Sequence, residues 1–327
     1  MKLREAGERA LVENARRIFR KGNRVRIGIG DDAAAIDISE KKCLVVTTDM
    51  VVASIHFPPG TKPEQIGRKA VVVNLSDLAA MGATPLGLVF SVALPRELEV
   101  EIANRIMKGM DSTAGEYRTY VVGGDLDEAE DITIAGTAFG LSDKDRLLRR
   151  SGARKGDILA VTGELGAASA GLKILTEKIP TKGYEELVKA QLEPKARVKE
   201  GIALARSGRV KAAIDVSDGL ASNLWHLSRE SKSGLIVDYE KIPVHRLVKK
   251  FSQQYGFNID EFTLFSGEDF ELIFTTRPQN WNSVRLALKR TGTTATPIGK
   301  VVEGSGVFLK KGEKMMKLED RGYEHFK

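Results

Sequence analysis

An α/β protein of the α+β type, built as two mixed α/β domains, is what the sequence predicts, and three observations lead there. Its 327 residues, 42% of them hydrophobic, supply core for about two domains of roughly 150 residues each. Short apolar runs with β-like composition alternate with longer helical stretches along the whole chain. Six acid-bearing segments punctuate it, most of them directly after an apolar run: Gly30-Asp31-Asp32, Thr47-Thr48-Asp49, Asn74-Leu75-Ser76-Asp77, Gly123-Gly124-Asp125, Asp215-Val216-Ser217-Asp218 and Ser266-Gly267-Glu268-Asp269.

In the first half, strands are expected over 24–29, 43–48, 86–94, 119–122 and 132–139. Two long helices accompany them. The first is expected over 63–82, because Pro63 suits a first turn and Gly82 a C-terminal stop. The second, over 98–115, carries Ile102, Ile106 and Met110 at four-residue spacing. Periodicity lapses into turn chemistry over 150–157, which places a domain boundary between 1–149 and 150–327. Beyond it, strands are expected over 158–162, 212–216, 235–239, 271–275, 297–302 and 306–309. Helices are expected over 166–178, 195–207, from Leu220 onward, and over 279–290.

The single cysteine, Cys43, lies in a strand-like run, so a disulfide framework and a cysteine zinc site are both excluded. No apolar stretch approaches a signal sequence or a membrane span, and a cytoplasmic protein is expected. A formal charge of +7 is spread over scattered pairs such as Arg16-Arg17, Lys249-Lys250 and Lys310-Lys311, with no basic tail, so nucleic acid is not an expected partner. Neither a P-loop nor the His-Arg-Asp and Asp-Phe-Gly pair of protein kinases is present.

The acids themselves point to hard-cation chemistry. Carboxylates and hydroxyls at strand ends, with no Cys or His cluster beside them, suit Mg²⁺ and phosphates. Adjacent residues on an extended chain point opposite ways, so one of Asp31 and Asp32 faces a site, and Asp32 is the choice; a surface hairpin turn is the alternative. In the run ending at Asp49, alternation that buries Leu44 and Val46 puts Thr48 on their face and Thr47 with Asp49 on the other. His56 is either a phosphate contact or a structural loop residue. Asn74 and Asp77, three apart in a helix of Ala, Val, Leu and Met, share one face, and an acid there is costly without a cation or hydrogen bonds. Gly124 and Asp125 follow the apolar 120–122, where backbone amides can meet a phosphate. Asp215 and Ser217 fall on one face, and Asp218 sits near the start of the next helix, where an anion is favoured.

Taken in order, these segments, together with Lys69-Ala70, Met81-Gly82-Ala83, Arg150-Ser151-Gly152-Ala153 and Ile214 through Leu220, closely resemble the thiamine-monophosphate kinase family over nearly the whole chain. That family belongs to the aminoimidazole-ribonucleotide-synthetase-like ATP-binding superfamily. The resemblance implies a homodimer whose N-terminal sheets pair, a C-terminal mixed sheet with flanking helices, and transfer of a phosphoryl group from ATP to thiamine monophosphate, giving thiamine diphosphate. It implies Asp32, Thr47, Thr48, Asp49, Asp77, Asp125, Asp215 and Asp218 as ligands of several Mg²⁺ ions. Gly124, Asp125, Arg150 and Ser217 would contact ATP, and His56, Glu268 and Tyr323 the thiamine phosphate. No single residue is implied as a general acid or base. The chain departs from the family pattern at Leu126, where a threonine is usual, and at Ala53-Ser54-Ile55, where Glu-Gly often precedes the histidine.

Overall fold

The computed structural model describes residues 2–326. Its first half holds helix α1 (Leu3–Ile18), strands β1 (Val25–Ile27), β2 (Ala34–Asp37) and β3 (Lys42–Val52), helices α2 (Ala53–His56) and α3 (Pro63–Ala80), β4 (Thr84–Leu94), α4 (Val100–Glu116), β5 (Val121–Glu128) and β6 (Thr133–Asp143). The strands form one sheet in the order β1-β2-β3-β6-β4-β5, with β5 parallel to β4 along its outer edge. The second half holds β7 (Ile158–Thr162), α5 (Ala167–Thr176), α6 (Glu185–Leu192), α7 (Val198–Ser207), β8 (Val210–Asp215), α8 (Leu220–Ser231), β9 (Gly234–Asp238), α9 (Arg246–Tyr255), β10 (Leu272–Thr276), α10 (Trp281–Lys289), β11 (Ala295–Val302), β12 (Val307–Lys311) and β13 (Lys314–Lys317). Its sheet runs β13-β12-β9-β11-β7-β10-β8, mixed because β12 lies parallel to β9.

Helix α3 is the centre of the molecule. Twelve of its residues are buried, because it packs on β3 and β6 of the first sheet and also touches α7 and β8 of the second half. The Gln65 side chain accepts from the Lys62 N–H at 3.0 Å and closes the first turn. Gly67 and Gly109 let α3 and α4 touch backbone to backbone: a Cβ on Gly67 would stand 2.1 Å from the Ile106 carbonyl oxygen.

In the first sheet, β6 alternates strictly between half-exposed and buried residues. Its buried face meets the helices. The other face, with Leu44, Val46, Ala135, Thr137, Phe139 and Leu141, is only half covered. The alternation of β3 holds, but the buried set is Cys43, Val45, Thr47 and Val51, not Leu44 and Val46 as expected. Size and apolarity do not decide the face here; the position of α3 does. Six labelled elements have no counterpart in the sequence reading: α1, α2, α6, α9, β2 and β13. α1 is interrupted by Gly7 at φ 73°, which breaks its pattern; α9 carries Leu247, Val248, Phe251 and Tyr255 at helical spacing, a signal that the sequence reading passed over. No helix among the described residues is long and apolar enough to cross a membrane.

Candidate active site

Three carboxylates from three places in the chain meet between the two halves. Asp32 lies in the loop before β2, Asp77 on α3 and Asp215 at the end of β8, and one oxygen of each lies within 4.8 Å of the others. Thr47 on β3 donates to Asp77 Oδ2 at 2.5 Å, and Ser76 on α3 donates to Asp215 Oδ2 at 2.5 Å. Arg150, in the connection between the sheets, donates to Asp32 Oδ1 through Nη2 at 2.9 Å and Nε at 3.2 Å. Asp32 Oδ2 is buried and has no hydrogen-bond partner. Asp31 turns aside, and its Oδ1 accepts from the backbone N–H of Arg150 at 3.0 Å.

Burial pushes each of these acids up. Asp215 reaches about 7, desolvation being the first cause and repulsion from Asp32 the second; Asp31 also reaches about 7. Asp77 stands well above the ordinary carboxylate range, for desolvation and for repulsion from Asp49, Asp215 and Asp32. Upward shifts of this kind are what a bound divalent cation removes. The donor set is all oxygen, one buried carboxylate oxygen is unpaired, and the acids repel one another, so the residues fit a hard cation such as Mg²⁺.

Beside the cluster opens a cleft of about 700 Å³ bordered by Asp49, His56, Ser217, Asp218, Glu268, Tyr323 and His325, with Phe257, Phe262 and Phe265 on its apolar side. Asp49 receives its place from Asn74, whose Oδ1 accepts the Asp49 N–H at 3.0 Å. Burial pushes Asp49 and Asp218 up to about 6, and Glu8 of α1 adds to both. His56 Nδ1 lies 2.9 Å from the Val52 N–H and 3.1 Å from the Val52 carbonyl, so either neutral tautomer makes one hydrogen bond to that residue; burial lowers the His56 pKa. Ser217 Oγ lies 3.3 Å from Asp215 Oδ1. The loops carrying Ser217 and Glu268 touch closely at Gly267, where a Cβ would stand 1.8 Å from the Ser217 carbonyl oxygen.

The chain thus brings together Asp32, Thr47, Asp49, Asp77, Arg150, Asp215, Ser217 and Asp218, with His56, Glu268 and Tyr323 around the adjoining cleft. Three expected residues stand apart. Thr48 lies on the opposite face of β3, its hydroxyl donating to the Gly136 carbonyl at 2.8 Å. Gly124 is in register with Asp49 only through Phe90 and Gly136, three strand spacings or about 14 Å away. Asp125, beside it on the edge strand, shares the open face with Ser91 and Ala135. The sequence reading missed Glu8, Lys69 and Gln191; Lys69 donates to both oxygens of Glu268 at 2.8 Å and Gln191 to one at 2.6 Å. A lysine inside the otherwise apolar face of 66–81 was the available signal for the first of these.

Both halves of the chain match the AIR synthase related proteins. Residues 30–142 match the N-terminal domain of that family, and residues 154–312 its C-terminal domain. The thiamine-monophosphate kinase of Pyrococcus horikoshii is 39% identical over 91% of both chains. That of Aquifex aeolicus is 35% identical over the full length of both. The solved structure of AaThiL complexed with AMPPCP and TMP superposes with a TM-score of 0.88 at 34% identity, covering 99% of each chain. The chain belongs to the thiamine-monophosphate kinase family.

Proposed function

We propose that this chain transfers the γ-phosphoryl group of ATP to thiamine monophosphate, giving ADP and thiamine diphosphate. The observation that carries the reading is the carboxylate cluster shared by both halves and set against an apolar-sided cleft with room for a small aromatic phosphate ester. A relative of the same family has been solved with an ATP analogue and TMP bound.

In this reading Asp32, Thr47, Asp49, Asp77, Asp215 and Asp218 hold the metal ions, and Thr48 is left out because it lies on the opposite face of β3 from Thr47 and Asp49. Bound there, Mg²⁺ would neutralise the polyphosphate and lower the repulsion between two anionic phosphates. Arg150 keeps Nη1 free of Asp32 and, with Ser217, takes a phosphate of ATP. His56 contacts the phosphate of the substrate through its ring edge, and Tyr323 lies along the substrate's ring. No side chain has to remove a proton, since a phosphate monoester is largely ionised near neutral pH. Direct in-line displacement is therefore sufficient.

Gly124 and Asp125 complete the ATP and metal contacts from a second copy of the chain. Support comes from β5, an edge strand exposed along most of its length, and from the half-covered apolar face beside it; a protein rarely leaves either bare. A division into 1–149 and 150–327 and a cytoplasmic location belong to the same reading.

Incubation with Mg-ATP and thiamine monophosphate tests it. Stoichiometric thiamine diphosphate is expected, with inversion at a chirally labelled γ-phosphorus. Binding of both ligands without product would make the chain a sensor rather than a kinase, and retention would sink single displacement.

A further inference from the structure

Lys69 sits in the middle of α3 with 2% of its side chain exposed, where an ammonium is costly unless fully paired. Its Nζ donates to both carboxylate oxygens of Glu268 at 2.8 Å and to the His56 carbonyl at 3.1 Å. All three of its protons are thereby engaged. One buried cation thus joins a cleft residue of the first half to one of the second.

Glu268 is held from other sides as well. Gln191 of α6 donates to Oε2 at 2.6 Å. The backbone of Glu268 is left-handed, φ 69°, a conformation that costs a non-glycine residue energy and persists only when its surroundings enforce it. Its N–H donates to the Ser217 carbonyl at 2.8 Å, and that of Phe270 to Val216 at 2.9 Å. Each carboxylate oxygen accepts about two hydrogen bonds. Oε2 has Lys69 and Gln191; Oε1 has Lys69 and keeps one acceptor position.

From these contacts we infer that Lys69 is a positioning residue for the substrate site. It cancels the charge of Glu268, so that this carboxylate accepts one hydrogen bond from a neutral amino group of the ligand instead of acting as counter-ion to a cationic ring. Thiamine monophosphate carries both an amino-bearing pyrimidine and a cationic thiazolium; the pairing assigns Glu268 to the first. This rests on the reading of the cleft as the thiamine monophosphate site.

Calorimetric binding of thiamine monophosphate and, separately, of AMPPCP in Mg²⁺ buffer tests it in the wild type, K69M and K69M/E268Q. K69M is expected to bind thiamine monophosphate at least about tenfold more weakly, because an unpaired carboxylate moves and hydrates, while AMPPCP affinity changes less than about twofold. The double variant restores a neutral acceptor and recovers most of the lost affinity; it also keeps the test alive should K69M fold poorly, since replacing both partners of a buried pair is tolerated better than removing one. Unchanged affinity in K69M, equal loss of both ligands, or a double variant weaker than K69M would each overturn the inference. A wild type that binds AMPPCP but not thiamine monophosphate would instead overturn the substrate assignment.

Discussion

At the scale of single residues, the site is a set of like charges held together against their repulsion. Asp215 is the clearest case, buried, raised to about 7 and bonded to Ser76. Asp215→Asn keeps an oxygen for Ser76 and removes a charge. Phosphoryl transfer should fall by roughly 100- to 1000-fold, while the metal-free protein gains about 1–3 kcal/mol at pH 8; kinetics and a denaturant melt check the pair of effects, and a destabilised variant would count against it. Much of this was legible beforehand. Adjacent-residue alternation required that one of Asp31 and Asp32 turn away from the site, and three-residue spacing put Asn74 and Asp77 on one face. Sequence patterns are local, however, and the Lys69–Glu268 pair joins residues 199 positions apart, beyond the reach of any spacing rule.

At the scale of elements, α3 sets the geometry because it supplies Ser76 and Asp77 to the cluster, Asn74 to Asp49 and Lys69 to Glu268. Its distance from α4 rests on Gly67 and Gly109. Gly67→Ala inserts a methyl against the Ile106 carbonyl and should cost about 1–3 kcal/mol, read as a lower denaturation midpoint, with loss of metal affinity if α3 shifts; an unchanged midpoint would show that α4 can yield. The expected α3 and α4 survive with ends altered by one or two residues, since Pro, Gly and apolar spacing mark them. The identity of the buried face of β3 was not readable, because a strand of apolar residues on both sides offers no contrast between its faces.

At the scale of the whole molecule, the acids link folding to pH and to metal. Asp31 and Asp215 stand at about 7, and Asp49 and Asp218 at about 6, against an ordinary 3.8. Between pH 4 and 7 the folded state therefore holds more protons than the unfolded chain, so stability of the metal-free protein falls as pH rises through that window. In the proposed reading, Mg²⁺ binding at the cluster would displace those protons. The rise in melting temperature on adding Mg²⁺ should be larger at pH 8 than at pH 5; an equal rise at both would separate the cation from the cluster. Fold class and the two-sheet plan were visible in the sequence because strand and helix signals alternate throughout. The meeting of the halves at α3 was not, since nothing in either half alone marks the surface it turns to the other.

The position of Asp125, three strands from Asp49 on an exposed edge, has a kinetic meaning. If a neighbouring copy lends that carboxylate, a solitary chain is an incomplete catalyst, and turnover per molecule becomes a function of how many molecules are present. Specific activity should then collapse on serial dilution with the same midpoint as the sedimentation change from dimer to monomer. Mixing Asp125→Asn chains with Asp215→Asn chains, each inactive alone, should restore up to about a quarter of the activity by pairing one intact site per mixed dimer.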